Sequence, residues 1–258
     1  MHLEAENITR TVKKLSCRTA HRGAYCAPEE WSTETISTLL SETARGKFER
    51  KQTDWINAVT GGGDSGGRVF LAGDRTLLQR PCIAVIGARK ATDAGERRAG
   101  QLARQLVANG VVIVSGLAEG IDTAALTAGV AANGHVVAVI GTPLDQAYPA
   151  KNKRLQEEIY REHLLVSQFP AGSRVFPSNF PARNRTMAAL SDASIVIEAS
   201  DSSGSLHQAA ECVRLGRWLG IANSVLNDPN LTWPAKFTSY DKFVPLENTD
   251  RMLRTIYG

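Results

Sequence analysis

No apolar run in this 258-residue chain approaches the ~18 residues that a membrane-crossing helix needs, and no charged-then-apolar leader opens it. The chain therefore reads as cytoplasmic, with no membrane partner. Cysteine is scarce: Cys17, Cys26, Cys82 and Cys212 are the only four, and none form a CxxC pair. Cys17, His21 and Cys26 match no standard zinc spacing, so the expectation is no metal and unligated, reduced thiols. Charge of one sign is not in large excess either. A net +4 permits a nucleic-acid partner without identifying one, so the clustering of cations has to carry that case. Several enzyme signatures are also missing. No GxGxxG follows the first strong strand, no acid stands in the ribose position, and there is no Walker lysine. No serine sits in a GxSxG elbow. These gaps leave no support for hydride transfer, metal-dependent chemistry or a bound cofactor.

What is present is the material of an ordinary globular chain, 43% apolar and 22% charged. Its length suits one large α/β domain with an extra segment, or two modest domains. Residues 1–66 are expected to form a helical N-terminal segment and linker. Thr33–Val59 has helical spacing at Ile36, Leu39 and Leu40, with a break near Gly46, and Gly61–Gly67 reads as a flexible connection. A phosphate-binding role for those glycines is less favoured, because no strand precedes them and no helix clearly follows.

Residues 67–258 are expected to be the α/β unit. Strands are predicted at Val69–Ala72, Ile83–Gly87, Val111–Ser115, His135–Ile140, Leu164–Ser167, Ala193–Ala199 and Trp218–Ala222. Helices are predicted at Ala94–Asn109, Glu119–Ala132, near Lys151–Glu162 and at Leu206–Leu215, with glycine stops at Gly110 and Gly216. Continuous β-branched runs separated by helices imply parallel strands buried on both faces, in a Rossmann-like, doubly wound, mainly parallel sheet. Right-handed crossovers then bring every strand C-terminus to one edge, where such folds bind ligands.

The loops assigned to that edge are rich in cations, glycine and serine. Arg89 and Lys90 follow the first strong strand, and Ser115-Gly116 through Gly120 and Asp122 follow the next. Gly141–Asp145, with Tyr148 beyond, follow the third. The segment Phe180–Gly204 carries Arg183, Asn184 and Arg185 in a helix-like stretch, then a buried-type strand, then the turn Ser200–Ser205 before another helix. Unpaired amides and a positive helix end make such a turn an anion site. Each loop also has a plain structural reading. Gly116 and Gly120 serve a tight connection, Asp122 favours the helix dipole, Tyr148 either stacks on a base or covers the sheet edge, and His207 caps or solvates a helix start. Together the loops point to phosphate, on a nucleotide or along a nucleic-acid backbone.

At these loops the sequence resembles the DNA-processing protein A (DprA/Smf) family. The elements stand in order: VFLAGDRTLLQRPCIAVIGARKAT at 69–92, SGLAEGIDTAA at 115–125, the GxxxDxxYPxxN frame at 141–152, FPARNR at 180–185 and SGSL at 203–206. The resemblance implies a Rossmann-like core that binds single-stranded DNA, as a homodimer, and assists loading of RecA recombinase. It implies backbone-contacting cations at Arg89, Lys90, Arg183 and Arg185. Ser115, Gly116–Gly120, Asn184 and the turn of Ser203, Gly204 and Ser205 complete the implied phosphate site. The chain departs from the family pattern in three places. Ala124-Ala125-Leu126 run on without the usual histidine, His207-Gln208-Ala209 stand where Thr-Ala is usual, and Ala222–Leu226 replaces a Val-Pro-Gly element. The wider superfamily supplies two alternatives, a nucleotide-sensing module and a nucleoside-monophosphate phosphoribohydrolase. The hydrolase's catalytic glutamate would fall near His207-Gln208, so the chain reads as a binding protein before an enzyme.

Overall fold

The computed structural model describes residues 24–36, 38–39 and 67–258. The glycine cluster at 61–66, most of the helical pattern expected at 33–59, and Cys17 and His21 lie outside the described residues. Where the N-terminal segment is described it departs from a purely helical reading. Ser32–Thr35 forms strand β1, and helical backbone starts only at Ile36. β1 pairs antiparallel with β2 (Arg68–Gly73), so the exposed backbone edge of β2 is covered rather than left open. Ile36 and Leu39 then turn into the same core as Val69 and Leu71.

Seven strands form the parallel part of the sheet: β3 (Cys82–Gly87), β4 (Val112–Ser115), β5 (Val136–Ile140), β6 (Leu164–Ser167), β7 (Ala193–Glu198), β8 (Trp218–Ala222) and β9 (Phe243–Leu246). The order across the sheet is β1-β2-β6-β5-β4-β3-β7-β8-β9, with β2 antiparallel to β6 and all pairs from β6 to β9 parallel. From β3 the chain winds outward through β4, β5 and β6. It then returns to the other side of β3 as β7 and continues to β8 and β9. The reversal puts a topological switch point between β3 and β7, the place where strand ends leave a crevice.

Alternation along each buried strand splits the core into two layers. Ala84, Ile86, Val112 and Val114 face one side, and Ile83, Val85 and Ile113 face the other. Each fully buried Ile or Val on these strands contributes about 1.5–3 kcal/mol by leaving water. The second layer is covered by α1 (Asp93–Ala108), α2 (Ile121–Ala131), α3 (Lys153–Glu162) and α7 (Thr249–Tyr257). The first is covered by α4 (Asn179–Leu190) and α5 (Ser205–Arg214), with Val225 from the short α6 (Asn223–Leu226) and Trp233. α1 starts where the Thr92 hydroxyl accepts the Gly95 amide, 3.0 Å, with Asp93 and Glu96 in its positive first turn. Cys82 and Cys212 are buried. Cys26 is disulfide-bonded, a departure from the expectation of four reduced thiols.

Candidate nucleic-acid interface

The C-terminal ends of β3 and β7 open into a cavity of about 1220 Å³. Arg89 and Lys90 reach it from the loop after β3, and Ser200 and Ser202–Ser205 from the turn after β7. Arg183, Asn184 and Phe180 reach it from α4, Tyr148 from the loop after β5, and Phe176 from the loop before α4. The topology has thus gathered side chains more than a hundred positions apart. Glu198, at the end of β7, ties the two principal loops together: its carboxylate accepts from the Thr92 amide at 2.9 Å and the Thr92 hydroxyl at 2.6 Å. The Ala88 amide donates to the Glu198 carbonyl, 2.7 Å. Glu198 is therefore a brace for the Arg89-Lys90 loop.

Among the expected phosphate contacts, the arginine pair divides. Arg183 is only 4% exposed. Its Nη1 donates to the Val139 carbonyl at 2.7 Å and to the Gly116 carbonyl, and its Nε donates to Asn184 Oδ1 at 3.0 Å. Beside it Asp122 is buried, and its Oδ2 accepts from the Gly116 amide, 3.1 Å. Burial pushes the Asp122 carboxyl upward, and the Arg183 charge and hydrogen bonds from Ala118 and Gly116 offset this only in part. Burial likewise pulls Arg183 downward and Asp122 opposes it. Arg185 turns the other way, towards Glu211 on α5, 3.4 Å, and does not line the cavity. Two residues apart on one helix point roughly 200° from each other, so the two side chains leave α4 on different sides.

The glycines and Ser115 are placed beneath the cavity, not on its surface. The Ser115 hydroxyl donates to the Val85 carbonyl, 2.7 Å, inside the sheet. Gly116 leaves room for the Arg183 guanidinium, and a β-carbon there would stand 1.9 Å from Nη1. Gly120 sits at φ 73°, and its β-carbon would stand 2.3 Å from the Ala88 carbonyl oxygen. Gly116 thus permits close approach of an α4 side chain, and Gly120 of the loop after β3.

The serine turn is different. The Ser200 amide donates to Ser203 Oγ at 2.8 Å, which folds the turn back on itself before α5 begins. Gly204 has open space where a β-carbon would be, and the buried Ser205 Oγ has no hydrogen-bond partner among the described residues. The Leu206 and His207 amides of this first turn are already bonded to the Ser203 and Gly204 carbonyls, at 3.1 and 3.2 Å, so the unpartnered group at this helix start is the Ser205 hydroxyl. An anion here would accept from that hydroxyl and lie at the positive end of the helix. Arg89 and Lys90, both exposed, supply positive charge alongside it.

Of the aromatic part of the lining the sequence singled out only Tyr148, with base stacking and covering the sheet edge as its two readings. The Arg89 guanidinium lies 5.2 Å from the Phe180 ring centroid, Tyr148 packs on Phe180 at 5.4 Å, and Arg174 lies 5.5 Å from the Phe176 ring. Phe180 was visible only as part of FPARNR. Its seat over Gly141, where a β-carbon would meet the ring at 2.7 Å, depends on the tertiary fold. The 228–231 stretch was also unforeseen. It is followed by an anchor on Asp201, whose carboxylate accepts from the Thr232 hydroxyl and from the Thr232 and Trp233 amides and is lowered by them, by the hydroxyl most. His207 lines the cavity from the first turn of α5 and is exposed. Among the described residues no cluster of His, Cys, Asp or Glu is suited to hold a metal, and no helix is long and apolar enough to cross a membrane.

The chain is similar to known proteins over this same region. Streptococcus pneumoniae DNA processing protein DprA is 43% identical over 160 residues, 62% of this chain and 56% of that protein. Protein Smf of Synechocystis is 45% identical over 128 residues, covering 50% of this chain and 32% of that protein. The chain thus spans between about a third and three-fifths of the length of these relatives. The X-ray structure of the pneumococcal protein matches with a TM-score of 0.67 at 31% identity, over 87% of this chain and 79% of that one. The Helicobacter pylori DNA processing protein A, solved in a study of its single-stranded DNA binding mode, matches with a TM-score of 0.68 at 26% identity, over 88% of this chain and 95% of that one. The family model for DNA recombination-mediator protein A covers residues 51–236, and the chain belongs to that family, the DprA/Smf group.

Proposed function

We propose that this chain binds single-stranded DNA in DNA processing and recombination, holding the phosphate backbone at the C-terminal edge of its sheet. The observation that carries the reading is the composition of one cavity: exposed Arg89 and Lys90 beside a helix start whose Ser205 hydroxyl is buried and unpartnered. Cations and helix N-termini position phosphates without reading sequence, which suits a ligand bound for its backbone. Kinship with a protein studied for its single-stranded DNA binding supports the same ligand. Residues 67–258 are the DNA-binding unit of this proposal, and residues 1–66 are an appended segment. Assistance to RecA loading and a homodimeric state follow from the family and complete the reading as proposals.

A competition assay tests it. Labelled oligothymidylate is bound to the protein and challenged with unlabelled oligothymidylate and with a panel of nucleoside monophosphates. The reading expects competition by the oligomer at far lower concentration than by any mononucleotide. A mononucleotide that binds tightly while DNA does not would move the protein to the nucleotide-sensing class. Release of free base from a monophosphate would move it to the hydrolases.

A further inference from the structure

We infer that Tyr148 and Phe176 are stacking platforms for unpaired nucleobases, a reading that rests on the DNA proposal above and adds a second kind of contact to it. Among the described residues the large apolar side chains left exposed are these two, Tyr148 at 50% and Phe176 at 49%. Both line the cavity that also holds Arg89, Lys90 and the serine turn. They come from different segments, the loop after β5 and the loop between β6 and α4. Two unrelated loops have each left a ring uncovered at one place, while the other large apolar side chains among the described residues are at least partly buried.

The local packing holds these rings in position without covering them. Phe180 is fixed over Gly141, and Tyr148 leans on its ring at an interplanar angle of 49°. Arg89 lies against the same Phe180 ring. Phe176 is steadied by Arg174, which is itself exposed. A cation thus flanks each aromatic element, so a phosphate and its base meet charge and ring together. The strand order separates the two kinds of contact. The Tyr148 loop follows β5 and the serine turn follows β7, on opposite sides of β3 and β4. A strand running across the switch point would place phosphates towards the serine turn and Lys90, and bases towards Tyr148 and Phe176. Paired bases in a duplex keep their faces against their neighbours, so such platforms favour single strands. They tolerate any sequence, because every base has a π face.

The test compares two ligands of equal length and charge, oligothymidylate and an abasic oligomer with the same number of phosphates. Wild-type protein should bind oligothymidylate at least about tenfold more tightly. Tyr148→Ala with Phe176→Ala should weaken oligothymidylate binding by roughly ten- to a hundredfold. The same variant should leave abasic binding and its salt dependence nearly unchanged, and Phe176→Trp should keep the preference for bases. Equal wild-type affinity for the two oligomers would overturn the inference and leave the DNA reading standing. So would a loss of both affinities in parallel in the double variant, the result expected if the rings serve the fold, and so would unchanged oligothymidylate binding in that variant, the result expected if they serve a protein partner. Failure of the wild type to bind either oligomer would overturn the DNA reading and this inference with it.

Discussion

The Arg183 guanidinium lies against Gly116 so closely that a β-carbon on that glycine would stand 1.9 Å from Nη1. The two residues are 67 positions apart, and the same nitrogen donates to the Gly116 carbonyl. Asp122 closes the arrangement by accepting the Gly116 amide. Arg183, Asp122 and Gly116 therefore form one buried unit, its two ionisable side chains in the wall of the cavity, and a change to any one of the three disturbs the others.

Gly116→Ala should destabilise the protein by at least about 2 kcal/mol, because the guanidinium has to leave its place and Asp122 loses its compensating charge. Arg183→Met should cost roughly 3–5 kcal/mol for the second reason alone. Denaturant unfolding of both variants measures this. Wild-type midpoints would show that Arg183 has no structural duty and would return it to the set of free phosphate contacts.

Gly204→Asp separates binding from stability. A β-carbon at Gly204 meets nothing within 4 Å, and aspartate suits a helix N-cap, so the unfolding midpoint should hold or rise. A carboxylate at that helix start repels phosphate, and oligothymidylate affinity should fall by at least about tenfold. Unchanged affinity would remove the serine turn from the site.

His163 gives the fold a pH dependence of its own at the other end of the sheet. Burial, with His135 at a ring-centroid distance of 6.2 Å, holds its pKa below the ordinary value, and Glu158 and Glu162 oppose this less strongly. The folded state thus favours neutral imidazole. Its stabilising contribution is complete above the unfolded-state pKa of about 6.5 and is lost as pH falls from there through the lower folded value. His163→Gln should flatten the unfolding midpoint over that window. An equally steep profile in the variant would assign the dependence to other groups.

The parallel sheet was legible because its strands are short β-branched runs. Leu164–Ser167 and Trp218–Ala222 fall at their expected limits, and most others within one residue. β1 was not, since its sequence STET has no apolar face of its own and the spacing after it is helical. β9 was also missed. Pro245 argues against a central strand, but β9 lies at the sheet edge, where a missing donor is tolerated. At the site, the presence of cations and a serine turn was readable from local pattern. Which arginine faces solvent was not, because that depends on helix phase and on a glycine brought in by another loop. Exposure of Tyr148 and Phe176 has no sequence signal at all, since a ring in a loop reads the same whether covered or bare.

The most direct measurement of the central claim is the salt dependence of oligothymidylate affinity in wild type and in the variant carrying Arg89→Ala and Lys90→Ala. Each phosphate contact on a single strand contributes about 0.7 to the slope of log affinity against log salt, so the variant's slope should be shallower by roughly 1.4. Its affinity at low salt should fall with it, while its unfolding midpoint stays close to wild type because both side chains are exposed. A variant with the wild-type slope and affinity would contradict the assignment of this sheet edge as the DNA-binding surface.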